Sequence, residues 1–196
     1  MLRIYSRKNM KDIVLVLTGV PGTGKDTIAK QLAAQGFSWI SINQLVKEKK
    51  IWKKKEKGCL TVDLKKLGAE LRKETNKRYG KNIVIDGHLA CEIPIKSDFC
   101  IILRTSPDVL RKRLEKRNYP KRKIEDNVMC EELDYCTQKA EINLKCPIYE
   151  VRTDKKIKET MNDVRSILKG KGKRFKAGWI DWSNCLLGKP GKRKEI

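Results

Sequence analysis

The sequence predicts an α/β domain built on a five-stranded parallel sheet with helices on both faces. Three observations carry that expectation. Short apolar runs alternate along the chain with stretches whose apolar residues recur three and four apart, the pattern of strands joined by crossover helices. The run Asp98-Phe99-Cys100-Ile101-Ile102-Leu103-Arg104 is unbroken in its apolar interior, as strands covered on both faces tend to be. Between the first apolar run and the first helical stretch lies Gly19-Val20-Pro21-Gly22-Thr23-Gly24-Lys25-Asp26-Thr27, a glycine-rich turn that opens a helix.

The elements follow in order. Ile13 to Thr18 is the first strand and Thr27 to Ala33 the first helix. Phe37 to Ile42 alternates well enough for a second strand, and a short helix follows, capped by Ser41 or Asn43. Lys49 to Gly58, with Ile51 and Trp52 as its large apolar residues, reads as a mobile loop. Leu64, Leu67 and Leu71 mark one face of a helix. Asn82 to Gly87 is a short buried strand ending on Asp86, and Asp98 to Arg104 is the fourth strand. Ser106-Pro107-Asp108 caps a helix carrying Val109, Leu110 and Leu114 inward. After the interruption Asn118 to Lys123, a single long helix is expected from about Ile124 to Leu144. Pro147 to Val151 is the fifth strand and Lys155 to Leu168 the closing helix.

The glycine-rich turn carries the chemistry. Strand, turn and helix N-terminus in that order form a phosphate cradle, because backbone N–H groups converge on an anion and the helix dipole favours negative charge there. Gly22, Thr23 and Gly24 supply the close-lying backbone, and Lys25 can reach the outer phosphates of a bound ATP. The usual pattern places Ser or Thr after the lysine, with its hydroxyl on Mg²⁺. Here Asp26 stands in that place and Thr27 one residue later. Asp26 can ligate the metal, bridge to it through water or repel the phosphates, and Thr27 can supply the hydroxyl instead.

Asp86 ends a strand expected beside the first, where doubly wound sheets bind their ligands. A carboxylate there can hold the Mg²⁺ of a nucleotide, directly or through water. His88, the single histidine, can orient a water or a substrate phosphate, and an ordinary imidazole pKa would suit a proton carrier. The competing reading of His88 is structural.

The totals exclude several classes. No apolar segment approaches the ~20 residues that span a bilayer, so no membrane partner is expected. Met1 to Lys8 lacks the apolar core of a secretion signal. Seven cysteines without a CxxC pair, beside one histidine, argue against zinc and suit free thiols in a reducing compartment, cytoplasmic or, in a eukaryote, nuclear. Forty-six Lys and Arg against 24 Asp and Glu leave a net charge of +22. Such a charge attracts polyanions over long range and points to nucleic acid or nucleoprotein, unless it reflects a lysine-rich proteome. Two clusters stand out: Lys47 to Lys57, with seven lysines and two glutamates, and the tail from Lys169, with nine basic and two acidic residues.

Several segments together resemble the adenylate kinases, particularly the isoenzyme 6 type, nuclear enzymes and archaeal relatives linked to maturation of the small ribosomal subunit. The matching pieces are Thr18 to Lys25, Ile85-Asp86-Gly87-His88, Leu103-Arg104-Thr105, Arg113 to Tyr119 and Asp126 to Glu131, within a span of about four fifths of the chain from Ile13 to Leu168. The Asp-x-His pair is the most specific piece, since ordinary adenylate kinases lack it. The resemblance implies a nucleoside monophosphate kinase fold over residues 1–168, with an acceptor-nucleotide arm at about 41–64, a short lid at about 116–126 and a basic extension at 169–196. It implies a broad-specificity kinase converting ATP and AMP (or another nucleoside monophosphate) to two diphosphates with Mg²⁺, together with ATPase activity. Gly22, Thr23, Gly24, Lys25, Asp26, Thr27 and Arg117 would hold ATP; Ser41, Lys47 and Val62 the acceptor; Thr27 and Asp86 the metal. Lys25, Asp86, His88, Arg113 and Arg117 would carry catalysis, the two arginines lying four apart on one helical face. Its ribosomal link implies pre-rRNA or a small-subunit protein as partner, and the alternative of an assembly switch with little kinase activity. Asp26 and Lys47 depart from the family, which has Ser or Thr and Arg there.

For the tail, three readings stand side by side: a disordered solubilising end, basic residues on phosphates with Trp179 and Trp182 stacked on bases, or both indoles packed on the core.

Overall fold

The computed structural model describes residues 12–56 and 59–186. Met1 to Lys8, Gly58 and the basic run Gly188 to Lys194 lie outside them. In chain order the elements are β1 (Val14–Thr18), α1 (Lys25–Ala33), β2 (Ser38–Ser41), α2 (Ile42–Glu48), β3 (Trp52–Glu56) and β4 (Cys59–Val62). Then come α3 (Leu64–Asn76), β5 (Ile83–Asp86), a 3₁₀ turn at His88–Glu92, β6 (Phe99–Arg104), α4 (Pro107–Glu115) and α5 (Lys121–Glu132). The chain continues through α6 (Tyr135–Asn143), β7 (Ile148–Arg152), α7 (Ile157–Leu168), a second 3₁₀ turn at Lys173–Phe175 and α8 (Ser183–Leu186).

The expected five-stranded parallel sheet is present, in the order β2-β5-β1-β6-β7. Successive side chains of a strand point to opposite faces, so β1 splits its residues between two cores. Val16 joins Ile40, Ile85 and Ile102 beneath α2 to α6, while Leu15 and Leu17 join Leu103 and Val151 beneath α1 and α7. Register places Asp86 opposite Leu17, beside the end of the central strand. The carboxyl ends of β1 and β5 therefore meet under the glycine-rich turn.

Three expectations change. The loop expected over Lys49 to Gly58 contains β3, which pairs antiparallel with β4. Ile51 anchors it, fully buried in the core of α2 and α3. The long helix expected from Ile124 to Leu144 is broken into α5 and α6 at Asp134, whose φ is +53°. The break has an electrostatic partner: the Asp134 carboxylate accepts from Arg104 Nη2. Ser106 occupies the N-cap of α4 without a side-chain cap bond, and Pro107 and Asp108 mark that first turn. Ser41 does cap α2, accepting from the Gln44 amide at 3.4 Å.

Beyond α7 the chain turns back onto the sheet edge. Lys176 bridges Tyr149 antiparallel, and Phe175, Ile180 and Trp182 are buried. Trp182 thus packs on the core, donating to Glu131 Oε1 at 3.1 Å, whereas Trp179 stays 44 % exposed and donates to the Glu150 carbonyl at 2.9 Å. Base stacking by Trp182 is ruled out by this burial.

Candidate functional site

The turn between β1 and α1 bends through positive φ at Gly19 (+135°) and Gly22 (+97°). A Cβ on Gly19 would stand 2.4 Å from the Leu103 carbonyl oxygen, and one on Gly22 would stand 2.8 Å from Leu110 Cδ1. Both positions therefore require glycine twice over, for conformation and for room. Gly24 is the N-cap of α1 and offers no side-chain cap, so the first amides of that helix are left for an anion.

Lys25 lies in the cradle, 7 % exposed, its Nζ donating to the Val20 carbonyl at 3.0 Å. Burial lowers its pKa, against the pull of Asp86, Cys136 and Asp26. Thr23 turns its hydroxyl inward, onto the same Val20 carbonyl at 2.9 Å. Asp86 is 2 % exposed, and among the described residues its Oδ1 has no hydrogen-bond partner. Burial pushes its pKa up to about 7; Lys25 opposes that rise, while the Asp26 carboxyl adds to it. His88 does not have the pKa expected of a proton carrier near neutrality. Burial first, then Lys25 and Lys123, push it down to about 4, so the free protein presents a neutral imidazole.

Two cavities flank the cradle. The larger, about 800 Å³, lies between the turn, the arm and α5. Lys25, Asp26, Lys47, Val62 and His88 line it. The smaller, about 460 Å³, is bounded by Thr23, Arg113, Lys116, Thr153 and Lys155. Gly22, Gly24, Thr27 and Arg117 line both, so the spaces meet over the turn. Ser41, expected on the acceptor side, lines neither; its hydroxyl caps α2. Asp86 lies beneath the lining rather than on it.

The two arginines differ. Arg113 spends its donors on the protein, reaching the Thr153 carbonyl at 2.6 Å and Thr105 Oγ1 at 3.0 Å, and burial lowers its pKa. The Arg117 backbone N–H donates to the Leu114 carbonyl at 3.1 Å, and among the described residues no hydrogen bond or ion pair engages its guanidinium. Sequence reasoning did not single out Lys123, which sits 5.4 Å from the Tyr119 ring centroid and lines the larger cavity. Its place in the expected lid was the available signal. Thr153 and Lys155 were also missed, since a strand end far along the chain carries no local mark.

The sequence matches the family model described as "AAA domain" over residues 15–134. It is 31% identical over 178 residues to a protein of Archaeoglobus fulgidus named "Putative adenylate kinase", covering 89% of this chain and 94% of that one. A protein of the same name from Pyrococcus furiosus is 33% identical over 172 residues, covering 87% and 92%. Among solved structures, the deoxyadenosine kinase of M. mycoides with bound dATP superposes with a TM-score of 0.52 at 13% identity, covering 80% of this chain and all of that one. A gluconokinase from Sinorhizobium meliloti 1021 superposes with a TM-score of 0.54 at 15% identity, covering 85% and 97%. At such identities the likeness establishes the shared fold.

Proposed function

The chain belongs to the AAA domain family together with these archaeal relatives, and from that premise we propose that it is a broad-specificity nucleoside monophosphate kinase. It converts ATP and AMP to two ADP with Mg²⁺, and hydrolyses ATP when water takes the acceptor's place. The observation that carries this reading is the meeting of two cavities over one phosphate cradle at Gly22, Gly24, Thr27 and Arg117. The smaller takes the donor nucleotide and the larger the acceptor, so that a phosphate oxygen of the acceptor faces the terminal phosphorus of the donor. Attack there forms the new P–O bond and breaks the bond to the bridging oxygen, which leaves with the diphosphate.

The α1 amides and Lys25 hold the polyphosphate. Lys25 then exchanges its bond to the Val20 carbonyl for a phosphate oxygen. Arg117, with its donors unspent, meets the charge that spreads over the equatorial oxygens in the transition state. Arg113 acts behind it, bracing α4 against Thr153. Lys47, Val62 and Lys123 bound the acceptor's space. His88, neutral, orients the attacking oxygen and does not serve as a charged acid. The donor set suits Mg²⁺ held mostly by phosphate and water: among the described residues no group of three or more acidic, imidazole or thiol side chains could cage an ion, while the buried, unpartnered Asp86 Oδ1 can take one position. When bound, Mg²⁺ would offset phosphate charge during transfer.

The +22 charge favours a second role for the same cycle, an ATP-driven switch acting on pre-rRNA or a small-subunit ribosomal protein. A coupled assay separates them. Brisk AMP-dependent ADP formation is expected, with His88→Ala impairing hydrolysis more than ADP affinity. Undetectable AMP consumption, with ATP hydrolysis stimulated by RNA or ribosomal particles, would remove the kinase as the main activity. RNA binding that vanishes at physiological salt would remove the switch.

A further inference from the structure

Between Val164 and Ile180 the chain carries six cations and no acid. Five of them, Lys169, Lys171, Lys173, Arg174 and Lys176, are exposed. The stretch that bears them is nevertheless pinned to the sheet. Gly172 is buried against Tyr149, where a Cβ would stand 2.6 Å from Cε1 of that ring, and Phe175 is buried with the core of α1 and α7. Lys176 bridges Tyr149, and the Ala177 amide donates to the Ile148 carbonyl at 3.1 Å. Anchors thus alternate with outward cations along β7, the edge strand of the sheet. A strip fixed in advance loses little freedom when it binds a partner.

Trp179 closes the strip. Its Nε1 is spent on the Glu150 carbonyl, yet the indole stays 44 % exposed, so what faces solvent is ring surface held in one orientation. The acids that border the strip are engaged, Asp163 with Lys155 and Arg174, and an Asp181 oxygen with the Ser183 amide at 2.8 Å. Among the described residues only Arg174 of the five cations is ion-paired, with Asp163 at 3.2 Å. Lys171, Lys173, Lys176 and Trp179 line neither cavity over the cradle.

We propose that this strap, from Lys169 to Trp179, binds single-stranded RNA, with its ammonium groups on phosphates and the Trp179 ring stacked on a base. This rests on the RNA-directed reading of the ATP cycle and names its gripping surface. Unpaired lysines draw a polyanion without reading its sequence. An exposed ring adds a preference, because it needs an unstacked base, which a duplex does not offer.

The test is fluorescence anisotropy of a labelled oligouridylate of about twelve nucleotides, titrated with the full chain across a salt series. Wild type is expected to bind at physiological salt, and more tightly than it binds a duplex of the same length. The triple variant Lys171→Ala, Lys173→Ala, Lys176→Ala should flatten the slope of log affinity against log salt by about 2, since each single-strand phosphate contact contributes about 0.7. Trp179→Ala should bind about tenfold or more weakly at an unchanged slope. ADP binding should match wild type in both variants, which shows that they are folded. No binding by wild type, an unchanged slope in the triple variant, unchanged affinity in Trp179→Ala, or equal displacement of the RNA by polyglutamate overturns the proposal. The switch is judged apart from it: RNA affinity that is the same with ATP and with ADP removes the switch and leaves the strap's site standing.

Discussion

Arg104 at the end of β6 and Lys25 at the start of α1 are both buried cations, 1 % and 7 % exposed, and their surroundings treat them in opposite ways. Around Arg104 every nitrogen is engaged. Nε donates to Glu131 Oε1 at 2.7 Å, Nη1 to Glu150, and Nη2 to Asp134 and to the Glu131 carbonyl at 3.0 Å. Burial works against the charge, but Glu131 and Glu150 outweigh it and hold the guanidinium pKa above its ordinary value. Around Lys25 the balance is reversed. Burial wins and lowers its pKa, and Asp86, the carboxylate that most opposes that fall, keeps an oxygen without a partner among the described residues. A saturated cluster holds the molecule together, whereas an unsaturated one leaves bonding capacity for a ligand. The molecule spends three acidic side chains on Arg104 and withholds such saturation at the cradle.

The largest effect should come from breaking the saturated side. Arg104→Met leaves Glu131, Glu150 and Asp134 facing one another without their cation. Removing one partner of a buried charge network costs about 3–5 kcal/mol, a fall in melting temperature of roughly 10 °C or more for a domain of this size. ADP affinity of the fraction that remains folded should hold. A melt within a few degrees of wild type would show that the cluster is not the keystone it resembles. Lys25→Ala tests the other side. Turnover should fall about 10²–10³-fold, as for loss of a preorganised charge that meets the transition state, with the melt little changed because the lysine is poorly matched in the free protein. Equal losses of turnover and stability would dissolve the distinction between the two sites.

The same contrast explains what was legible in the sequence. The cradle is consecutive: Gly19 to Thr27 performs one task, and the glycines, the lysine and the displaced acid can be read side by side. Asp86 and His88 stand out in the sequence because a strand end marks them. The Arg104 cluster joins residues 27, 30 and 46 positions away, and each partner reads locally as something else. Arg104 looks like the polar end of a strand, and Glu131 like a solvated helix position. Asp134 looks like the interior of one long helix, which is why the break between α5 and α6 was missed. The hairpin of β3 and β4 escaped for a related reason: its lysine-rich strand has no apolar alternation, and the anchor Ile51 precedes it.

Asp86→Asn sharpens the contrast, because activity and stability should move in opposite directions. Mg²⁺-dependent turnover should fall while the metal-free protein gains stability. The sign follows from the pKa. A carboxyl pushed up to about 7 when folded, from its ordinary value of 3.8, holds its proton more tightly in the fold. Its cost to stability is absent below the unfolded value and grows as pH rises towards 7. In EDTA the variant should melt a few degrees above wild type at pH 8, with the gain shrinking at pH 5. A gain of the same size at both pH values would mean that burial of the charge is not the cause.

The smallest expected effect lies on the strap that crosses the cluster. Trp182 Nε1 gives Glu131 Oε1 a third donor, beside Arg104 Nε and the Thr105 amide at 3.1 Å, and the Arg152 guanidinium sits 5.1 Å from its ring centroid. Trp182→Phe keeps most of the apolar packing and removes that one donor. Because Glu131 retains two others, the cost should be about 1 kcal/mol, or roughly 2–4 °C in the melt. The effect should be small because the cluster is over-determined: it can lose one donor from the strap, but not the cation around which the carboxylates are arranged. A loss as large as that of Arg104→Met would instead make the strap an integral part of the charge network, and would place the C-terminal residues among those that hold α5 against the sheet.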